Sequence, residues 1–199
     1  MAYTTAVLLR EYADIADVRH DALLTLLIAR AQALIDGYVG FSFEAAADST
    51  RYFDAASTRN GGHVDGRTLL FDTWCCSITS VTNGDATAVA AASYVTEPRN
   101  GARFYGIKLL SSTGLAWEAK STTDDAEKAI TVVGKWAWST TAPADIIHAT
   151  LRLGLWLYRQ RDSSTDMDRP ILAEGVMVLP GQIPADVLRV LDQYKWRSA

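Results

Sequence analysis

Residues 143–161 read PADIIHATLRLGLWLYRQR, and the fold turns on how that stretch is buried. Pro143 and Asp145 sit in its first turn, where a missing N–H costs nothing and a carboxylate meets the positive end of the helix dipole. From Asp145 to Arg159 the polar positions are Asp145, His148, Arg152 and Arg159, with Thr150 the only other. Steps of three, four and seven put those four on one narrow stripe of a helix. Ile146, Ile147, Leu151, Leu153, Leu155, Trp156, Leu157 and Tyr158 occupy nearly all the remaining surface. A helix apolar around most of its circumference must be covered on most sides. A mixture of the chain's own β structure and a neighbouring subunit is expected to supply that cover, with Leu153, Trp156 and Leu157 as candidate subunit-interface residues.

A near-copy of the opening, Pro184-Ala185-Asp186-Val187-Leu188, starts a last helix expected to run to about Arg197. Between the two lies a polar connection, 162–183, longer than most ordered loops. Its apolar stretch Val176-Met177-Val178-Leu179 is expected to dock. At the other end of the chain, Thr4 or Thr5 can cap a short helix through Ala13. A longer helix follows from about Asp21, with Leu23, Leu24, Leu27, Ile28, Ala31, Leu34, Ile35 and Tyr38 at the 3–4 spacing of one buried stripe, ended by Gly37 and Gly40.

The middle of the chain loses helical periodicity. Strands are expected at Arg51–Asp54, Thr68–Phe71, Ser77–Thr82, Ala102–Tyr105 with Ile107–Leu110, and Ala129–Val133. Turn signals separate them: Asn60-Gly61-Gly62, Asp65-Gly66, Asn83-Gly84-Asp85 and Asn100-Gly101. Trp136 and Trp138, two residues apart, would share one strand face. The chain thus reads as α+β: residues 1–46 and 142–199 form a small helical bundle, and 47–141 an inserted antiparallel β module.

Composition narrows the function classes. Of 199 residues, 49% are hydrophobic and 21% charged, which excludes disorder for most of the chain. The net charge of −4 argues against a protein whose main task is gripping nucleic-acid phosphates. All of that acidity lies in residues 1–48, where three arginines face seven acids. Cys75 and Cys76 are adjacent and poorly placed for an unstrained disulfide, which fits a reducing compartment. Residues 1–5 lack the features of a signal peptide, and no apolar run of bilayer-crossing length is expected, so a soluble protein made inside the cell is the reading.

Chemistry is sparse. His20, His63 and His148 lie in three different zones with no second ligand at helical spacing, so no metal site is expected. Cys75 and Cys76 read as packed structural thiols beside Trp74. Asp124, Asp125 and Glu127 read as a solvated loop rather than a pair of catalytic carboxylates. No nucleophile elbow, phosphate loop or dinucleotide fingerprint occurs. No enzyme activity and no cofactor are expected.

The order of parts resembles the head–tail connector (adaptor) proteins of tailed phages, in a longer form with a β insert. The residues that carry the resemblance are Asp21-Ala22-Leu23-Leu24 leading to Tyr38-Val39-Gly40, then Arg51-Tyr52-Phe53-Asp54 and Ser77–Thr82. Pro143–Leu151 running on to Leu157–Arg161, and Val187-Leu188 to Leu191–Tyr194, complete the pattern. The resemblance implies a non-enzymatic virion protein at the head–tail junction, made in the host cytoplasm. Such proteins form a homo-oligomeric ring, typically of twelve copies, below the portal protein. The ring extends the DNA channel and joins the head to a downstream neck or tail protein. An acidic or neutral wall would let DNA slide without sequence-specific binding. The segment Asp186–Ala199 is then expected to meet the portal through Tyr194, Trp196 and Arg197, with no membrane involved. Two further readings stand beside it: another tail-completion or neck protein, and a glycan-binding module on the Trp- and Tyr-bearing β insert.

Overall fold

A computed structural model of the chain describes residues 2–162, 171–173, 176–178 and 183–195. It divides into two compact units. One comprises Met1–Gly40 and Ala142–Ala199, the other Phe41–Thr141. The fold is α+β, with helices from the two ends of the chain and antiparallel sheets between them.

In the helical unit, α1 (Ala6–Tyr12) begins where the Thr5 hydroxyl accepts the Leu8 N–H at 3.2 Å. A single 3-10 turn, Val18–His20, capped by Asp17, leads directly into α2 (Asp21–Val39). Gly40 ends α2 with a left-handed φ of 86°, and its N–H donates to the Asp36 carbonyl at 2.8 Å. Helices α3 (Ala144–Asp162) and α4 (Ala185–Asp192) complete the set. α2 packs on α1, α3 and α4, and α3 is also touched by α1 and α4. Leu9, Leu24, Ile28 and Leu155 form one core cluster, flanked by Ala6, Ala13, Ile15, Leu151 and Tyr158. Gly154 makes room for it, because a Cβ there would lie 3.1 Å from a Leu9 methyl. Ala31, Ile35, Val39, Ile146, Ala149, Leu153, Leu157, Val187 and Leu191 are also buried. Each large apolar side chain among them stabilises the unit by about 1.5–3 kcal/mol.

The β unit holds seven strands in two antiparallel sheets. They are β1 (Ser49–Phe53), β2 (Val64–Asp65), β3 (Thr68–Cys75), β4 (Ser77–Thr82), β5 (Tyr94–Glu97), β6 (Phe104–Leu109) and β7 (Ile130–Lys135). One sheet runs β1-β7-β4, the other β2-β3-β6-β5. The chain passes from the second sheet to the first across Cys75-Cys76-Ser77, where the Cys76 N–H donates to Lys135 O at 2.9 Å. Phe53, Leu69, Phe71, Cys75, Val81, Ile107, Leu109, Trp117, Ile130, Val132 and Trp136 belong to one shared core. Alternation supplies it, since β7 buries Ile130, Val132 and Gly134 in turn. The two ends of the unit lie side by side. Trp138 N–H donates to Ser42 O, Ser139 N–H to Phe43 O and Ala45 N–H to Ser139 O. A third, two-stranded sheet pairs β8 (Ile171–Ala173) with β9 (Val176–Val178) in the connection before α4.

Several expectations change. The expected runs 102–105 and 107–110 are replaced by one continuous strand, β6, over Phe104–Leu109, because Gly106 stays in the ladder opposite Leu70. β2 is too short for any periodicity, and β5 follows an alanine-rich turn that hid it. β7 stops at Lys135, so the two tryptophans do not share a strand face. Trp136 joins Phe53 and Phe71 in the β core, whereas Trp138 stacks on Phe41. α4 ends at Asp192 rather than near Arg197. There Gln193 and Tyr194 tighten into three-residue bonds to Val190 O and Leu191 O. Val18–Val39 is also, by length and composition, apolar enough to cross a bilayer, contrary to the expectation. The cause is that the 3-10 turn and α2 run on without a break, while Leu24, Ile28, Ala31, Ile35 and Val39 face the unit's core.

Two glycines give a paired stability test. A Cβ at Gly134 would lie 2.3 Å from Ser77 O, so Gly134→Ala should lower unfolding free energy by about 1–3 kcal/mol in urea titrations. Gly37 lies inside α2 with nothing within 4 Å of such a Cβ, so Gly37→Ala should raise it by about 0.5–1 kcal/mol.

Candidate interaction surfaces

The outward stripe of α3 is where the sequence pattern put it: Asp145, His148 and Arg159 are exposed and Arg152 half-buried. Thr150, the remaining polar group, is buried and donates its hydroxyl to Ile146 O at 2.7 Å. α4 lies along part of this stripe and is held by side-chain contacts to α2 and α3. Arg152 Nε donates to Asp186 at 2.9 Å, and the Tyr194 hydroxyl donates to Asp145 at 2.6 Å. At the far end of α4 the Tyr38 hydroxyl donates to Asp192 at 2.7 Å. Lys195 pairs with the same carboxylate at 3.3 Å, its ammonium 4.2 Å from the centre of the Tyr38 ring.

These contacts shift the acids. Partial burial works against ionised Asp186, but the hydrogen bond and charge of Arg152 outweigh it and hold the carboxyl below its ordinary 3.8. Hydrogen bonds from Tyr38 and Lys195 hold Asp192 below the same value. Lys195 is raised in turn by Tyr38 and Asp192.

Of the expected interface residues, Leu153 is 0% exposed and Leu157 8% exposed within the single chain, so neither offers a surface as folded. Trp156 is half-buried. Sequence reasoning missed the larger apolar surface on α2. Opposite its buried stripe, Ala22, Leu26, Ala29 and Ala33 face outward, and Leu26 is 68% exposed. An open hollow of about 370 Å³ lies along that face, lined by Ala2, Ala29, Gln32, Ala33 and Asp36. The signal was present in the sequence as an α2 apolar beyond the width one buried stripe requires. Of the expected portal contacts, Tyr194 is half-buried against α3. Trp196 and Arg197 lie outside the described residues.

The remaining candidates are spoken for by their neighbours. His20 meets the edge of Tyr158, His148 the edge of Tyr12, and His63 accepts the Asp54 N–H at 3.1 Å while touching Phe53. Among the described residues, no three of His, Cys, Asp and Glu converge as a metal cluster would. Cys75 is buried and its thiol donates to Ser77 O at 3.2 Å; burial pushes its pKa up to about 12. Burial also raises Cys76. Asp124, Asp125 and Glu127 are exposed on a loop, with Asp124 at a φ of 59°. Tryptophan faces in the β unit are occupied. Trp138 lies between Phe41, with ring centres 5.5 Å apart, and the Arg103 guanidinium, 3.3 Å from its ring centre. Trp74 meets the edges of Trp138 and Tyr105. Trp117 and Trp136 are buried, with their indole N–H groups on Arg67 O and Ser49 O.

Taken as a backbone, this arrangement has solved counterparts. The fold is shared with a chain of a gene transfer agent neck. That structure, "Neck of empty GTA particle computed with C6 symmetry", matches with a TM-score of 0.65 at 15% identity, covering 99% of this chain and 91% of the other. A chain of "Virion of native gene transfer agent (GTA) particle" matches with a TM-score of 0.56, again at 15% identity and the same coverage. No protein-family model and no curated protein sequence matches the chain. At this identity the likeness is one of fold, and it includes the β unit as well as the helices.

Two measurements follow from the local chemistry. Native Cys75 should react with a thiol reagent at pH 8 more slowly than the urea-unfolded chain by about two orders of magnitude or more. Asp186 also makes docking of α4 pH-dependent. Because its folded pKa is depressed, its contribution is complete above the ordinary carboxylate value and is lost as pH falls through the lower folded one. The stability difference between the native protein and Asp186→Asn, read by urea titration, should be constant from about pH 7 to 5 and shrink below about pH 4.

Proposed function

We propose that the chain is a non-enzymatic head–tail connector, or adaptor, of a phage-like virion. The observation that carries this reading is the whole-chain likeness, with a TM-score of 0.65, to a chain in the neck of a gene transfer agent particle. In this reading the chain forms a ring of twelve copies below the portal, a number compatible with the sixfold symmetry under which that neck was solved. The ring extends the DNA channel and joins the head to a downstream neck or tail protein, placing the chain at the head–tail junction after assembly in the host cytoplasm. The exposed stripe of α2 and the half-buried Trp156 are the surfaces best suited to subunit contact. Trp196 and Arg197 are assigned to the portal, whereas Tyr194 is turned to α3. The acidic residues 1–48, among them exposed Glu11 and Asp14, suit a wall along which DNA slides, because few counterions are released on contact.

Occupied indole faces in the β unit weigh against the glycan-binding alternative. Light scattering after size exclusion, across a concentration series, tests the main reading. A species near twelve times the 21.7 kDa chain mass, ring-shaped in negative stain, is expected alone or on mixing with the portal ring of the same virion. A chain that stays monomeric and does not bind that portal overturns the adaptor reading in favour of a tail-completion protein.

A further inference from the structure

Helix α4 is docked by contacts that need not come from its own chain. It has eight residues, and isolated helices shorter than about 12–15 residues are marginal in water. Its N-cap position, Pro184, makes no side-chain capping hydrogen bond. α4 buries Val187 and Leu191. Its polar hold includes Asp186 on Arg152, Tyr194 on Asp145, Asp192 on Tyr38 and Lys195 over the Tyr38 ring, all at largely exposed positions where single contacts are weak. The surface formed by α2 and α3 therefore recognises α4 through apolar burial flanked by complementary charge and hydroxyl groups. Any copy of α4 satisfies that surface equally well.

The chain around α4 has the means to present it elsewhere. Helices in bundles are usually joined by about 2–8 residues, and the connection 163–184 between α3 and α4, which carries β8 and β9, is far longer. A connection of that length can deliver α4 to α3 of the same chain or to α3 of an adjacent copy.

We propose that in the assembled ring α4 docks on the α2–α3 surface of the neighbouring copy, each chain giving its helix to the next. This exchange presupposes the ring proposed above. It costs little, because identical contacts form within or between chains. Helix and acceptor surface are different parts of the chain, so the contact is heterologous and can propagate until a ring closes. Tyr38, Asp145 and Arg152 then act as recognition groups at each subunit boundary, and part of the apolar surface of α3 is covered by a neighbour.

Isotope mixing tests the exchange. Light and heavy-labelled chains of Arg152→Lys are mixed before assembly and the rings treated with a water-soluble carbodiimide. The reagent condenses the new amine with the Asp186 carboxylate as an amide, with loss of water. Mass spectrometry of the peptide linking positions 152 and 186 should find about half of it with one light and one heavy arm. Rings whose linked peptides are all light or all heavy overturn the exchange and leave the ring reading standing. A chain that forms no ring, alone or with the portal, overturns both. A second route avoids cross-linking. Arg152→Asp and Asp186→Arg each oppose like charges in every contact, whereas an equimolar mixture can pair opposite charges only between chains. Several-fold more ring from the mixture than from either variant supports exchange, with the double variant as the folding control. A mixture that assembles no better than its components, while the double variant assembles, overturns it.

Discussion

The helical unit depends on the burial of α3. Its apolar residues cover most of the helix circumference, and water cannot be left on more than the stripe of Asp145, His148, Arg152 and Arg159 without a large cost. Three other helices meet that requirement. α1 and α2 close on Leu155 through Leu9, Leu24 and Ile28, and α2 and α4 both pack on α3 with Val187 and Leu191 buried. Because α1 and α2 come from the start of the chain and α3 and α4 from its end, the unit cannot form until both are present. Gly154 shows how tight the fit is, with a leucine methyl where its side chain would be.

An insertion of this size is compatible with such a core only if its own ends are held together. The β unit achieves this with main-chain hydrogen bonds from 42–45 to 138–139, over which Phe41, Trp138 and Arg103 stack. Aromatic and cation–π contacts of this kind add to simple area burial. The same arrangement fills the indole faces that an open sugar-binding platform would need. The tryptophans here serve closure and core packing, while Tyr52 and Tyr105 remain exposed.

The helical unit has one open apolar surface and one that a short helix covers. One is the alanine-and-leucine face of α2, apolar and open. The other is latent, the surface under α4, covered by a short helix with modest polar anchors. Both have the character of surfaces that are buried on contact with another protein surface. The described histidines and cysteines are by contrast engaged in packing, and Asp124, Asp125 and Glu127 lie open to solvent.

The α+β class, the identity of the four helices and most strands, and the polar stripe of α3 were legible in the residues alone. These rest on local periodicity, caps and turn residues, which act over a few residues and are written in order along the chain. Thr5, Gly40 and the Asp65-Gly66 turn are examples. Which apolar residues of α3 remain available depends on packing. Leu153, Leu157 and Trp156 look alike along the sequence, yet the first two are interior and the third is half-exposed. Packing also decided that Trp136 and Trp138 serve different clusters, and that Tyr194 reaches back to Asp145. Those outcomes depend on which distant segment arrives opposite each residue. Apolar pattern states that a surface must be covered, and only packing states by what.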